Sequence, residues 1–181
     1  TSAELKQIVS LHLEQLDLSQ QTPARLWRLP VCYDEKFAPD LKDVVSKANL
    51  TSDEVIALHT SKILEVAIMG FLPGLGYLTG VDDALHLPRR SEPRTFVPQG
   101  SVGLAMDQTV IYPLNSPGGW NLIGRMPIPL FDQKRENPIL FSAGDQVSFY
   151  AVNADKYEEL AASCVDGNLP IYPEQADKAA L

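Results

Sequence analysis

Between Gly70 and Arg125 the chain is forced through so many tight turns that few architectures remain open to it. The stretch reads GFLPGLGYLTGVDDALHLPRRSEPRTFVPQGSVGLAMDQTVIYPLNSPGGWNLIGR. Glycine supplies backbone angles that other residues resist, and proline fixes φ and removes a donor. Both, interleaved with aromatics, make the stretch too irregular for a helix and too apolar for disorder. What remains is a set of short strands joined by sharp bends.

The rest of the chain fits that reading. Apolar spacing predicts a helix over residues 3–16, with His12 as a surface or partly packed residue, followed by a polar linker carrying Pro23. Leu26 to Tyr33 reads as a short strand that ends at Pro30 or lies at a sheet edge. Pro39, Asp40 and Leu41 open a helix running to Lys47. Thr51-Ser52-Asp53-Glu54 is a capping box for a second helix to about His59. The pair has the look of a helix-turn-helix, but the second helix is acidic and carries no arginine, against DNA reading. Ile63 to Met69 is apolar almost throughout and predicts a central strand. Further strands are expected at 102–106, 109–113, 120–127, 138–141 and 146–152, with a hairpin at Asp107-Gln108 and a turn at Ala143 to Asp145. Ala154 to Cys164 closes with an amphipathic helix, and a loosely held tail begins at Asp166. Many short strands with glycine and proline turns argue for a mainly β barrel or sandwich with flanking helices.

Composition sets limits on function. The 181 residues suffice for one compact domain, with or without a small appendage. A net charge of -8 speaks against non-specific binding of nucleic acid, which needs clustered cations. No run approaches the roughly 18 apolar residues of a membrane span, and no secretory pattern opens the chain. Cys32 and Cys164 are isolated, which implies neither zinc nor a disulfide framework and fits a reducing cytoplasm. The first residue is Thr1, with helical spacing from the outset, so the chain is read as a piece whose N-terminal part is missing.

Three arginines stand out in this acidic chain. Arg89, Arg90 and Arg94 lie within six residues, stiffened by Pro88 and Pro93. Guanidinium forks match carboxylates and phosphates, so an anion site is one reading. Pairing with Asp82, Asp83 and Glu92 is the other, with at least one arginine structural. His59 sits at a helix end, either as a dipole cap or as the best available general acid/base. Ser101 lacks the elbow of a nucleophile and reads as a ligand-binding or turn-closing hydroxyl, with Gln99 in the same loop. Ser116 to Gly119 forces a turn that delivers Trp120 as a pocket wall or a core filler. Gly70 to Gly76 is glycine-rich, but no lysine follows in P-loop register, and no nucleotide or metal motif occurs.

GFLPGLGYL, the Pro-Arg-Arg…Pro-Arg segment, VPQGSVG, YP…SPGGWNLIGR and the later Pro-Leu-Phe-Asp together resemble the KipI / allophanate hydrolase subunit 1 family, which includes the PxpB-type component of bacterial 5-oxoprolinase. LPVCYDEKFAPDL and Leu58-His59 fit the same pattern, so the resemblance covers about Leu29 to Val152. It implies a cyclophilin-like closed β-barrel over residues 26–165. Residues 1–25 would then be the end of a small N-terminal α/β domain with its linker, and 166–181 a tail. The implied activity is ATP-dependent opening of 5-oxo-L-proline to L-glutamate. It would be shared with two other proteins, a homologous KipA/PxpC-type subunit plus one of LamB/YcsF type. The chain would be inactive alone, with ATP bound at the level of the complex. The family also implies two alternatives, a binding module that inhibits a sensor histidine kinase and an allophanate/urea-type amidohydrolase or carboxyltransferase subunit.

On this resemblance His59 is the candidate acid/base. Arg89, Arg90, Arg94, Gln99 and Ser101 would bind substrate in a groove facing the KipA/PxpC-type partner. Gly70, Phe71, Pro73, Gly74, Tyr77, Pro117, Gly118, Gly119 and Trp120 would shape the pocket and its turns. The chain departs from the family at Gln99, where the loop reads Val-Pro-Ala-Gly-Ser, and at Leu72 to Tyr77, where Phe-Pro-Gly-Phe-Pro-Tyr is expected. Both departures keep the turn residues.

Overall fold

The computed structural model describes residues 4–7, 9–10, 24–165 and 167–175. The expected helix over 3–16, with His12, and most of the expected N-terminal remnant lie largely outside these residues. The elements are β1 (Arg25–Cys32), α1 (Leu41–Ala48), α2 (Ser52–Ser61), β2 (Ile63–Met69), β3 (Gly76–Thr79), a 3₁₀ turn (Asp83–Leu85), β4 (Arg94–Val97) and β5 (Ser101–Ala105). They continue with β6 (Gln108–Ile111), β7 (Ser116–Gly118), β8 (Asn121–Arg125), β9 (Gln146–Val152), α3 (Ala154–Ser163) and β10 (Glu174–Gln175).

Seven strands close on themselves in the order β1-β8-β5-β6-β3-β2-β9, because β9 returns to pair with β1. This is the closed β-barrel expected from the resemblance. The β1–β9 pair is parallel and the others are antiparallel. Closure leaves no long unpaired edge to recruit another strand. β10 adds to β1 outside the ring, and β4 pairs with β7 as a separate two-stranded ribbon.

Side-chain alternation sorts the strand residues into two cores. Leu64, Val66, Leu78, Val102, Leu104, Ile111, Ile123 and Val147 fill the barrel. Their neighbours in sequence face outward, and Val110 and Leu122 join Leu75, Val97, Ala105, Tyr112 and Trp120 in a second, smaller core. That second core lies where β4 and β7 contribute Val97 and the Trp120 turn, so β5 is buried along its whole length.

Several expectations need correction. β1 continues through Pro30 and is not an edge strand. One side pairs throughout with β9, while the other is shared by β10 at Arg25–Leu26 and β8 at Cys32. Pro30 falls between those two and stands opposite Tyr150 of β9. Residues 138–141 form only an isolated bridge, Phe131 to Ile139, while Leu140 and Phe141 serve as anchors in the main core. The β5–β6 hairpin turns on Met106-Asp107, since Ala105 pairs with Gln108. β3, β4 and β7 escape a reading of the sequence because three or four residues among glycine and proline carry too little periodicity. The capping box is present as expected: Thr51 Oγ1 accepts from the Glu54 N–H at 3.2 Å and Glu54 Oε2 accepts from the Thr51 N–H at 2.7 Å. Among the described residues no helix is long and apolar enough to cross a membrane.

Candidate functional site

The site is built on a carboxylate that the sequence does not single out. Asp40 stands at the N-cap of α1, yet its side chain makes no capping bond. It is 2% exposed. Oδ1 accepts from Arg90 Nη1 at 2.8 Å and Arg94 Nη2 at 2.6 Å, and Oδ2 accepts from Arg94 Nη1 at 2.9 Å. Oδ2 also accepts from the Leu122 N–H at 2.7 Å, while the Asp40 N–H donates to Leu122 O. A buried carboxylate needs this degree of pairing. Asp82, by contrast, pairs with Lys62.

Arg90 and Arg94 therefore tie β4 to α1 and β8, the structural role that was the alternative to binding an anion. The same segment is stitched to the turn beyond it: the Arg90 N–H donates to Gly119 O at 2.8 Å, and Arg94 pairs with Gly118 across the ribbon.

Arg89 behaves differently. It makes no ion pair among the described residues, and its guanidinium carbon lies 5.2 Å from the centre of the Trp120 ring. This contact is a cation–π pair. It borders a pocket of about 100 Å³ walled by Phe71, Leu75, Tyr77, Val110, Tyr112, Pro117, Gly118, Gly119 and Trp120. The Tyr77 and Trp120 rings stand 6.1 Å apart. Gly118 is required here, since a Cβ would run into the Tyr112 hydroxyl. Burial pushes the Tyr112 pKa up to about 12 against the opposing pull of Arg89, so the phenol stays protonated near neutral pH.

The pocket thus gathers Phe71, Tyr77, Arg89, Pro117, Gly118, Gly119 and Trp120 of the expected residues. It leaves out Gly70, Pro73 and Gly74. Gly74, at φ +84°, serves the bend that packs on Leu130. Gln99 is exposed, and its N–H donates to Asn115 Oδ1 at 2.8 Å. Ser101 is buried at the start of β5. Neither lines the pocket. Between them Gly100, at φ +80°, joins two strands through bonds to Tyr112 O and from the Met126 N–H, and a Cβ there would meet Met126 O.

His59 lies inside the barrel and does not line the pocket. Thr109 Oγ1 donates to Gly103 O at 3.0 Å, so it accepts from His59 Nε2 at 3.2 Å. Nδ1 then accepts from Tyr33 Oη at 2.7 Å, and this network assigns the neutral Nε2–H tautomer. The ring stacks on Phe149 with centroids 4.7 Å apart. Burial pushes the His59 pKa down to about 3 and raises that of Tyr33. The sequence does carry a signal for this: Val55 and His59, one helical turn apart, are the buried positions of α2.

A second carboxylate that sequence reasoning misses, Asp145, accepts from Arg25 Nε at 2.9 Å, Trp27 Nε1 at 3.2 Å and the Ser142 N–H at 2.8 Å. It joins the start of β1 to the turn before β9, where the barrel closes.

The model of the carboxyltransferase domain, subdomain C and D, matches residues 1–141. The B subunit of 5-oxoprolinase from Bacillus subtilis (strain 168) is 39% identical over 153 residues, covering 84% of this chain and 64% of that protein. Its counterpart of the same name from Escherichia coli O157:H7 is 45% identical over 126 residues, covering 70% and 58%. The crystal structure of a conserved uncharacterized protein from Pyrococcus horikoshii, 35% identical, superposes with a TM-score of 0.71 over 86% of this chain and 69% of that one. The chain spans about three-fifths of the length of the two 5-oxoprolinase relatives. With most of its length matched, and with the motifs that pointed to the KipI/PxpB group, it belongs to the carboxyltransferase subdomain C and D family.

Proposed function

We propose that this chain is part of a PxpB-type subunit of 5-oxoprolinase. In this reading it binds and orients 5-oxo-L-proline. A cytoplasmic complex with a homologous KipA/PxpC-type subunit, completed by a LamB/YcsF-type one, opens the lactam to L-glutamate. The observation that carries the proposal is Arg89. Alone among the three clustered arginines it has no carboxylate among the described residues, and it borders a small aromatic pocket. A guanidinium takes a carboxylate in bidentate geometry. Tyr77, Tyr112 and Trp120 make aromatic walls against which a flat five-membered ring can pack. The identities to the 5-oxoprolinase subunits of B. subtilis and E. coli support the same substrate.

The residues present do not fit ATP. The glycine-rich loop at Gly70 to Gly76 lacks the following lysine of a P-loop. Phosphate chemistry therefore belongs to the other subunits in this reading, and the chain is inactive alone.

Arg89→Ala in the assembled complex is expected to raise the KM for 5-oxoproline about 10–100-fold, the weight of one charge-assisted pair. The subunits should still co-purify, and Arg89→Lys should recover part of the loss. Steady-state kinetics of 5-oxoproline-dependent ATP hydrolysis reads the effect. An unchanged KM in Arg89→Ala would sink the proposal.

A further inference from the structure

We infer that Phe71 is a substrate-contacting residue whose ring walls off the mouth of the Arg89–Trp120 pocket and selects for a flat ring beneath it; this rests on the function proposed above. Phe71 has φ +69°, and the Leu72 N–H donates to Gly70 O at 2.8 Å across it. An i to i+2 bond with positive φ is the rarer, strained hand of γ-turn. For a bulky side chain that conformation is an outlier.

Among the described residues the two other non-glycine residues with positive φ have local reasons. Asn49 ends α1 in the left-handed conformation that asparagine tolerates. Met106 occupies the two-residue β5–β6 hairpin, whose twist demands positive φ. Phe71 has no such reason. Glycine would make the turn without strain, and Gly70 and Gly74 show that the loop admits glycine.

Nor does burial offset the strain. Phe71 is 66% exposed, so its ring gains little from the fold. The loop nevertheless holds it firmly: the Gly70 N–H donates to Leu75 O and the Leu75 N–H to Leu72 O. The outcome is a fixed, exposed aromatic face at the edge of a pocket otherwise walled by Tyr77, Tyr112 and Trp120. Strain retained without a folding benefit points to function. An occupant of the pocket would cover the ring and supply the missing burial.

The test is Phe71→Gly beside Phe71→Tyr in the assembled complex. Phe71→Gly should raise the KM for 5-oxoproline about 5–10-fold, the weight of one ring contact, with kcat within about twofold. Its thermal midpoint should not fall, because glycine relieves the turn; a residue with a purely structural role would lose stability instead. Phe71→Tyr, which keeps the ring, should restore the parental KM. A parental KM in Phe71→Gly would overturn the inference. So would loss of the partner proteins at unchanged KM, which would place Phe71 in an interface with them. Arg89→Ala separates the two levels. If it raises KM and Phe71→Gly does not, this inference alone fails; if neither moves KM, the pocket reading fails with it.

Discussion

Asp40→Ala is expected to destabilise the chain by about 3 kcal/mol and to dismantle the pocket at the same time. Three groups lose their acceptor together: Arg90, Arg94 and the Leu122 N–H. Removing one partner of a buried ion pair strands the other charge and typically costs about 3–5 kcal/mol. The arginine side chains here are each 26% exposed, so water compensates in part and the lower end applies. Asp40→Asn should cost less, because its amide oxygen still accepts a bond. Denaturant midpoints at constant m-value read the effect. A double-mutant cycle with Arg94→Ala should return a coupling of about 1–3 kcal/mol. The exposed pair Lys42–Glu35 is the control, with little expected effect because water screens it. If Asp40→Ala unfolds no earlier than Lys42→Ala, the clasp is not what holds this region. The consequence reaches function, because the Arg90 N–H donates to Gly119 O and Arg94 stands opposite Gly118 in the ribbon, both in the pocket wall.

The second large effect is on acid stability. His59 has a folded pKa of about 3 against an ordinary value of 6.5. Between those values the unfolded chain takes up a proton that the folded chain refuses, so stability falls as pH falls. The slope approaches about 1.4 kcal/mol per pH unit, or about 3 kcal/mol between pH 6.5 and pH 4. Carboxylates titrate in the same range, so the measurement is a difference between the parental chain and His59→Gln, where their contributions cancel. Glutamine can still bond Tyr33 and Thr109 but has no proton to gain. His59→Gln should be less stable at pH 7 and should close the gap as pH falls. Parallel pH profiles would mean that His59 accepts a proton in place, and the sealed barrel interior would be refuted.

How much of this is legible in the sequence depends on the range of the interactions. The capping box at Thr51, the strand at Ile63 to Met69 and the final helix are set by neighbours within a turn or two, and periodicity reveals such features. The turn-rich middle reads correctly as short strands, and its motifs point to the pocket residues Phe71, Tyr77, Arg89 and Trp120. Asp40 escapes because its environment is made by Arg90 and Arg94, fifty and fifty-four residues away. In the linear chain it resembles any acidic residue opening a helix. The surroundings of His59 escape for the same reason, since Phe149 from β9 and Thr109 from β6 pack against it from far along the chain.

By itself the sequence determined the class of fold. Glycines and prolines restrict local dihedral angles, and two-residue alternation sets which side chains share a face, both independent of distant contacts. Only the tertiary structure decided the fate of the charges. Desolvation and pairing depend on which elements meet in space, and closing the barrel committed two arginines to Asp40, sealed His59 inside and left Arg89 at the pocket.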